Sequence, residues 1–89
     1  MAYIDNMNDL ARTTKQIGTI IQRARKKRGL TQMDLAERAG LRQGTISLIE
    51  TGNTPAKMDS ILAVLAALDL EFTVRSRSKG TASDIEELF

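Results

Sequence analysis

Chemistry in this chain rests on cations, because the side chains that do covalent or acid–base work near neutral pH are missing. Its 89 residues include no histidine and no cysteine. That removes the imidazole base, the thiolate nucleophile, the disulfide and the usual soft metal ligands. There is no phosphate-cradling glycine loop, and Asp34 and Glu37 are better explained by the electrostatics of a helix start than as a catalytic carboxylate pair. The expectation is a protein that is not an enzyme and takes no cofactor and no metal. Its net charge of +2 conceals an uneven distribution. Residues 15–57 carry nine basic side chains (Lys15, Arg23, Arg25, Lys26, Lys27, Arg28, Arg38, Arg42 and Lys57) against three acidic ones (Asp34, Glu37 and Glu50), a net of +6. Such a segment points either to a polyanionic partner or to a solvated charged face.

The elements that must position these charges are short helices. Thr13 and Gln16 have the spacing of a capping box, and Ile17, Ile20, Ile21 and Ala24 follow at helical period, so a first helix is expected from Thr14 to Arg28, ended by Gly29. Thr31 is placed to cap a second helix with Asp34 in its first turn, Leu35, Ala36 and Ala39 facing inward, and Gly40 breaking it. A third is expected from Gln43 to Thr51, with Ile46 and Ile49 buried and Gly52 terminating it. Pro55 sits close to the start of a fourth, Ala56 to Leu68, whose Met58, Ile61, Leu62, Leu65 and Leu68 should form the centre of the core.

After Asp69 the apolar period becomes two, with Leu70, Phe72 and Val74 alternating against Glu71, Thr73 and Arg75, the signature of a strand. A lone strand leaves its backbone groups unpaired, and no second candidate of similar quality exists in the chain. Its partner is expected from another copy, making a dimer across a two-fold axis. The alternative is an extended segment covering its own helices. A polar stretch then leads to an acidic, apolar tip containing Ile85, Leu88 and Phe89, which is either a docking peptide or a terminus without a role. Eighty-nine residues suit one domain with a small core, for which oligomerisation is the remaining route to added stability. Met1 to Asn8 lacks the basic start and apolar stretch of a signal peptide, and the longest apolar run, Ile61 to Leu68, is far short of the roughly 20 residues that span a bilayer. A soluble, cytoplasmic protein without a membrane partner is expected.

The segment from Thr31 to Glu50 resembles the helix-turn-helix of the phage-repressor-like, XRE-type DNA-binding family. Ala36 is small where two helices cross, Gly40 permits the turn between them, and Leu35, Leu41, Ile46 and Ile49 hold their angle. The resemblance implies that the second helix of the pair enters the major groove, with Arg42, Gln43, Thr45 and Ser47 meeting base edges. Gln43 is the first choice for base reading, since glutamine pairs with adenine and arginine with guanine in bidentate fashion; Arg42 is placed either on a base or on a phosphate. Gln32 matches a phosphate-binding position beside the N-terminus of its helix, and Lys26, Lys27, Arg38, Asn53 and Lys57 are candidates for further phosphate contacts. Arg25 and Glu50 match a pair that, in this family, forms an internal salt bridge. Two features depart from the family pattern: Gly44 replaces a larger side chain, and Arg42 is a poor helix cap.

The expected fold is therefore all-α, a four-helix repressor-like helix-turn-helix domain (13–69) preceded by an N-terminal arm (1–12). One short C-terminal β-strand (70–77) follows, pairing between subunits of a dimer through Leu70, Phe72 and Val74, and then a flexible tail (78–89). Four helices followed at once by a strand and a short tail resemble the HipB-like antitoxins. That likeness implies a homodimer that represses its own toxin–antitoxin operon at a near-palindromic operator and binds a HipA-type kinase toxin, with Ile85, Leu88 and Phe89 as the partner-docking tip. The alternative function is a stand-alone XRE-type transcriptional regulator without a toxin partner.

Overall fold

The computed structural model describes residues 9–77, so the first eight residues of the expected arm, and the tail with Ile85, Leu88 and Phe89, lie outside the described residues. Four helices follow in order: α1 (Thr14–Lys27), α2 (Gln32–Ala39), α3 (Gln43–Thr51) and α4 (Met58–Ala67). None is long and apolar enough to cross a membrane.

Local chemistry starts and stops the first two. At α1 the Thr13 hydroxyl accepts from the Gln16 amide at 3.0 Å, while the Gln16 side chain accepts from the Thr13 amide at 3.1 Å. At α2 Asp34 fills the same reciprocal role: its carboxylate accepts from the Thr31 amide and its own amide donates to the Thr31 hydroxyl, each at 2.9 Å. Where α2 ends, Gly40 takes a left-handed φ of 73°, and the Leu41 amide turns back to the Ala36 carbonyl at 2.9 Å. After α4 the same geometry is built on Asp69 at φ 62°, with Leu70 N–H on the Leu65 carbonyl at 2.8 Å. Aspartate is among the few non-glycine residues that adopt this conformation readily.

The Thr31 backbone amide, and after it the Thr31 hydroxyl, hold the Asp34 carboxyl below the usual carboxylate range. A carboxylate with a depressed folded pKa supports the helix above its unfolded value and loses that support as pH falls through the folded one. The α2 cap should therefore persist through neutral pH and weaken only below about pH 4. The measurement is an NMR titration of the Asp34 carboxyl carbon: Thr31→Ala should move its midpoint upward, and an unmoved midpoint would count against the cap.

The core takes Ile21 and Ala24 from α1, Leu35 and Ala36 from α2, and Ile46 and Ile49 from α3, with Ile61, Val64, Leu65 and Leu68 from α4 and its end. The α4 residues recur at i, i+3, i+4 and i+7, which gives one inward stripe. Two expectations for α4 need correction. It begins at Met58 rather than Ala56, because Lys57 is still extended at ψ 142° and Asp59 then occupies the first turn. Met58 and Leu62, expected in the core, are exposed. They lie one turn apart on a face that α4, packed chiefly on α2, turns away from the bundle.

Residues 70–77 pair with no other segment among the described residues. Leu70 is half-buried against the core, whereas Phe72 and Val74 are exposed. The segment edges an open groove of about 520 Å³ shared with Ile17 and Ile20 of α1 and with residues 9–12. A strand exists through its ladder, and the described residues supply no second strand.

Candidate nucleic-acid interface

The turn at Gly40 and Leu41 sets α3 across α2, with Leu41 half-buried against the core. The inward edge of α3 is formed by Ile46, Ile49 and Glu50. The opposite side therefore presents Gln43, Gly44, Leu48 and Thr51, all exposed, with Thr45 and Ser47 half-buried between the two faces. Glu50 is the only charged residue within α3, so the outward face of this helix is neutral. Cations bracket it along the chain: Arg38 in the last turn of α2 and Arg42 at the N-cap before it, and Lys57 with the amide of Asn53 after it, all exposed. A neutral face between cations suits a polymer that is neutral at its base edges and anionic along its backbone. Arg42 makes no capping hydrogen bond to α3, as its chemistry predicts, so its guanidinium stays at the surface.

Glu50 is neutralised from inside. Its Oε2 accepts from Arg25 Nε at 2.6 Å and its Oε1 from Arg25 Nη2 at 3.1 Å, a two-pronged pair joining α1 to α3. The two residues are 8% and 7% exposed. The Glu50 hydrogen bond raises the pKa of Arg25 against the opposing effect of burial. Arg25 also donates to the Leu30 carbonyl at 2.8 Å, which fixes the approach to α2.

A relay runs outward from this pair. Gln32 Nε2 donates to Glu50 Oε1 at 3.1 Å, and Gln43 Nε2 donates to Gln32 Oε1 at 3.1 Å. Gln32, expected at a phosphate, is thus half-buried and bonded on both sides. From there it also holds the side chain of Gln43, the first candidate for reading a base. The two glutamines stand eleven residues apart on different helices, so no periodic signal in the chain reveals the link.

The remaining candidates are more dispersed. Lys26 and Lys27 are exposed in the last turn of α1, away in sequence from the α2–α3 pair. Two features escaped the sequence reading. Gly18 lies inside α1, where an added Cβ would stand 2.4 Å from the Ile49 carbonyl oxygen and 2.5 Å from that of Glu50, so α1 and α3 touch backbone to backbone. Leu48 is 51% exposed on the outward face of α3. Register from Ile46 and Ile49 would have placed it outside.

Residues 21–74 match the family model described as helix-turn-helix. Solved structures with the same fold include a chain of a HipA–HipB–O2–O3 complex, at 25% identity and a TM-score of 0.72, covering 78% of this chain and 97% of that one. A complex of a serine-to-alanine variant of HipB with an O2 20mer matches at 24% identity and a TM-score of 0.75, covering 81% and 100%. A HipB–O4 20mer complex matches at 25% and 0.72, covering 78% and 97%. No curated protein matches the chain.

Proposed function

We propose, from the premise that this chain belongs to the XRE-type helix-turn-helix family and has a HipB-like fold, that it is a sequence-specific DNA-binding antitoxin that represses its own operon. In this reading it binds a HipA-type kinase toxin and is not itself an enzyme. The observation that carries the DNA half is the exposure of Arg42 and Gln43 at the start of a neutral α3, with the Gln43 amide held by the relay from Glu50. A preset amide reads adenine without first losing rotamer freedom, and a bidentate contact of this kind discriminates by about 1–3 kcal/mol. The similar chains come from complexes that join HipB to O2 and O4 20mers and to HipA. The proposal extends both kinds of partner to this chain, as duplex operator DNA and as a kinase.

Two copies act together. The exposed alternating side chains Phe72 and Val74, and a backbone from 70 to 77 that finds no ladder among the described residues, support antiparallel pairing with a second copy. A two-fold pair presents two α3 helices about 34 Å apart, one turn of duplex, to a near-palindromic site. Arg42, Thr45 and Ser47 join Gln43 at the bases, while Lys26, Lys27, Arg38, Asn53 and Lys57 hold phosphates in this reading.

The test is duplex binding by fluorescence anisotropy, on a site selected from a random library, with capture of a HipA-type kinase tried in parallel. Arg42→Ala with Gln43→Ala should weaken binding by about tenfold to a hundredfold. The unaltered protein should lose roughly 10³-fold in affinity between 50 and 200 mM salt if six or more phosphates are neutralised. Unchanged affinity in the double variant would reassign the chain to protein binding alone. Intact DNA binding without kinase capture would make it a stand-alone regulator.

A further inference from the structure

The outward face of α3 holds two residues that folding does not explain. Gly44 sits in the first turn of a helix, and glycine is a poorer helix former than alanine by up to about 1 kcal/mol. Nothing among the described residues requires its bareness, since a Cβ added there would meet none of their atoms within 4 Å. Gly18 is the contrast, because backbone atoms fill the space beside it. Leu48, one turn after Gly44, is 51% exposed, while Ile46 and Ile49 on either side of it are 0% and 3% exposed and meet the packing needs of the helix. Helical side chains lean toward the N-terminus, so Leu48 points along the face toward the turn that carries Gly44 while leaving the space at Gly44 itself open. The outward face of α3 thus carries bare backbone with open space at Gly44, next to Gln43, and an exposed apolar side chain one turn later at Leu48.

We infer that the exposed Leu48, with the space at Gly44 left open beside it, contacts the C5-methyl group of a thymine, which makes Leu48 a specificity-determining residue of the interface. The assignment rests on the DNA-binding reading above. Among the groups that base pairs present in the major groove, the thymine methyl is the apolar one, and a leucine that neither donates nor accepts a hydrogen bond can distinguish bases only through it. Gly44 supplies the other half, since a side chain at that position would occupy the place of the methyl. The position that looks like a lost base contact thus leaves room for an apolar one.

The experiment uses the full chain and the duplex it selects from a random library, with each thymine replaced in turn by deoxyuridine, which lacks only the methyl. One thymine per half-site should prove sensitive. Its methyl should be worth roughly fourfold in affinity, the equivalent of about 0.8 kcal/mol for one buried carbon. Leu48→Ala should fold normally, because the side chain is outside the core, and should bind the thymine and deoxyuridine duplexes equally. Gly44→Ala should melt no lower than the unaltered protein and lose the same discrimination. The assignment is overturned if the unaltered protein tolerates deoxyuridine at every thymine, or if Leu48→Ala keeps the preference. It is also overturned if Leu48→Ala leaves duplex binding untouched but abolishes kinase capture, which would make Leu48 a protein contact. Selection of no duplex at all by the unaltered protein overturns the DNA-binding reading, and this assignment with it.

Discussion

Replacing Glu50 with alanine is expected to cost about 3–5 kcal/mol of folding stability, the range for breaking a buried ion pair from one side. The loss is not that of one contact. Glu50 accepts from Arg25 Nε, Arg25 Nη2 and Gln32 Nε2, so its removal strands a nearly buried guanidinium and an amide together. A single domain has about 5–15 kcal/mol in total, and one of this size belongs at the lower end, so the variant should be largely unfolded at 37 °C. The control is the double replacement Arg25→Met with Glu50→Leu. If the penalty comes from the orphaned charge and not from lost attraction, removing both charges should recover most of the stability. Urea denaturation followed by circular dichroism measures both variants. A Glu50→Ala midpoint close to that of the unaltered protein would mean that the pair is not as enclosed as its geometry requires. The double variant has a further use: it would fold with Gln43 and Gln32 detached from Glu50. Weaker duplex binding by that stable protein would assign the relay to orientation of the reading amide and separate it from the upkeep of the fold.

What could be read from the sequence, and what could not, divides by the distance over which each interaction acts. The boundaries of α1, α2 and α3 depend on partners three or four residues away, such as Thr13 with Gln16 and Thr31 with Asp34, and on glycines at positions 29, 40 and 52 that take positive φ. Those are local chemistry, legible in one dimension. The outward placement of Arg42 and Gln43 follows from the register of Ile46 and Ile49 and was equally legible. The pairing of Arg25 with Glu50 came from the family resemblance, because nothing in the spacing of 25 residues identifies it. The faces of α4 were misread because a helix that is apolar nearly all round gives no contrast between sides, and only its packing on α2 exposes Met58 and Leu62. The strand expected at 70–77 has no partner among the described residues, and an alternating pattern in one segment carries no mark of where a partner would come from. Gly18 and the Gln32–Gln43 bond were invisible for a common reason: each exists only where two helices meet, and the sequence of either helix alone carries no mark of the other.

Gly18 accordingly yields the second large effect, and one with the opposite sign to that suggested by its own helix. By intrinsic propensity, Gly18→Ala in the middle of α1 should stabilise the helix by about 1 kcal/mol. The new methyl would, however, lie 2.4 Å from the Ile49 carbonyl oxygen, 2.5 Å from that of Glu50 and 2.8 Å from the Glu50 carbonyl carbon. All three are backbone atoms, which cannot swing aside as a flexible side chain would. One turn earlier on the same face of α1, the contact is equally close from the other direction: a Cβ on Gly52 would stand 2.5 Å from Lys15 Cα, and the Thr14 hydroxyl donates to the Gly52 carbonyl at 2.9 Å. With both ends of the contact at bare backbone, α1 and α3 can accept the methyl only by separating. The net cost should reach about 1–3 kcal/mol, typical of overpacking. That corresponds to a melting temperature lower by roughly 5–15 °C for a domain of this size. Because α3 moves with Glu50, the separation should also disturb Gln32 and Gln43, and duplex affinity should fall at temperatures where the variant is still folded. Gly44→Ala is the internal comparison, a glycine of the neighbouring helix with open space around it and the propensity gain unopposed. Thermal melts of the two variants side by side decide the matter. If Gly18→Ala rises as Gly44→Ala should, the close seating of α1 on α3 is wrong, and so is the rigid base it provides for the reading helix.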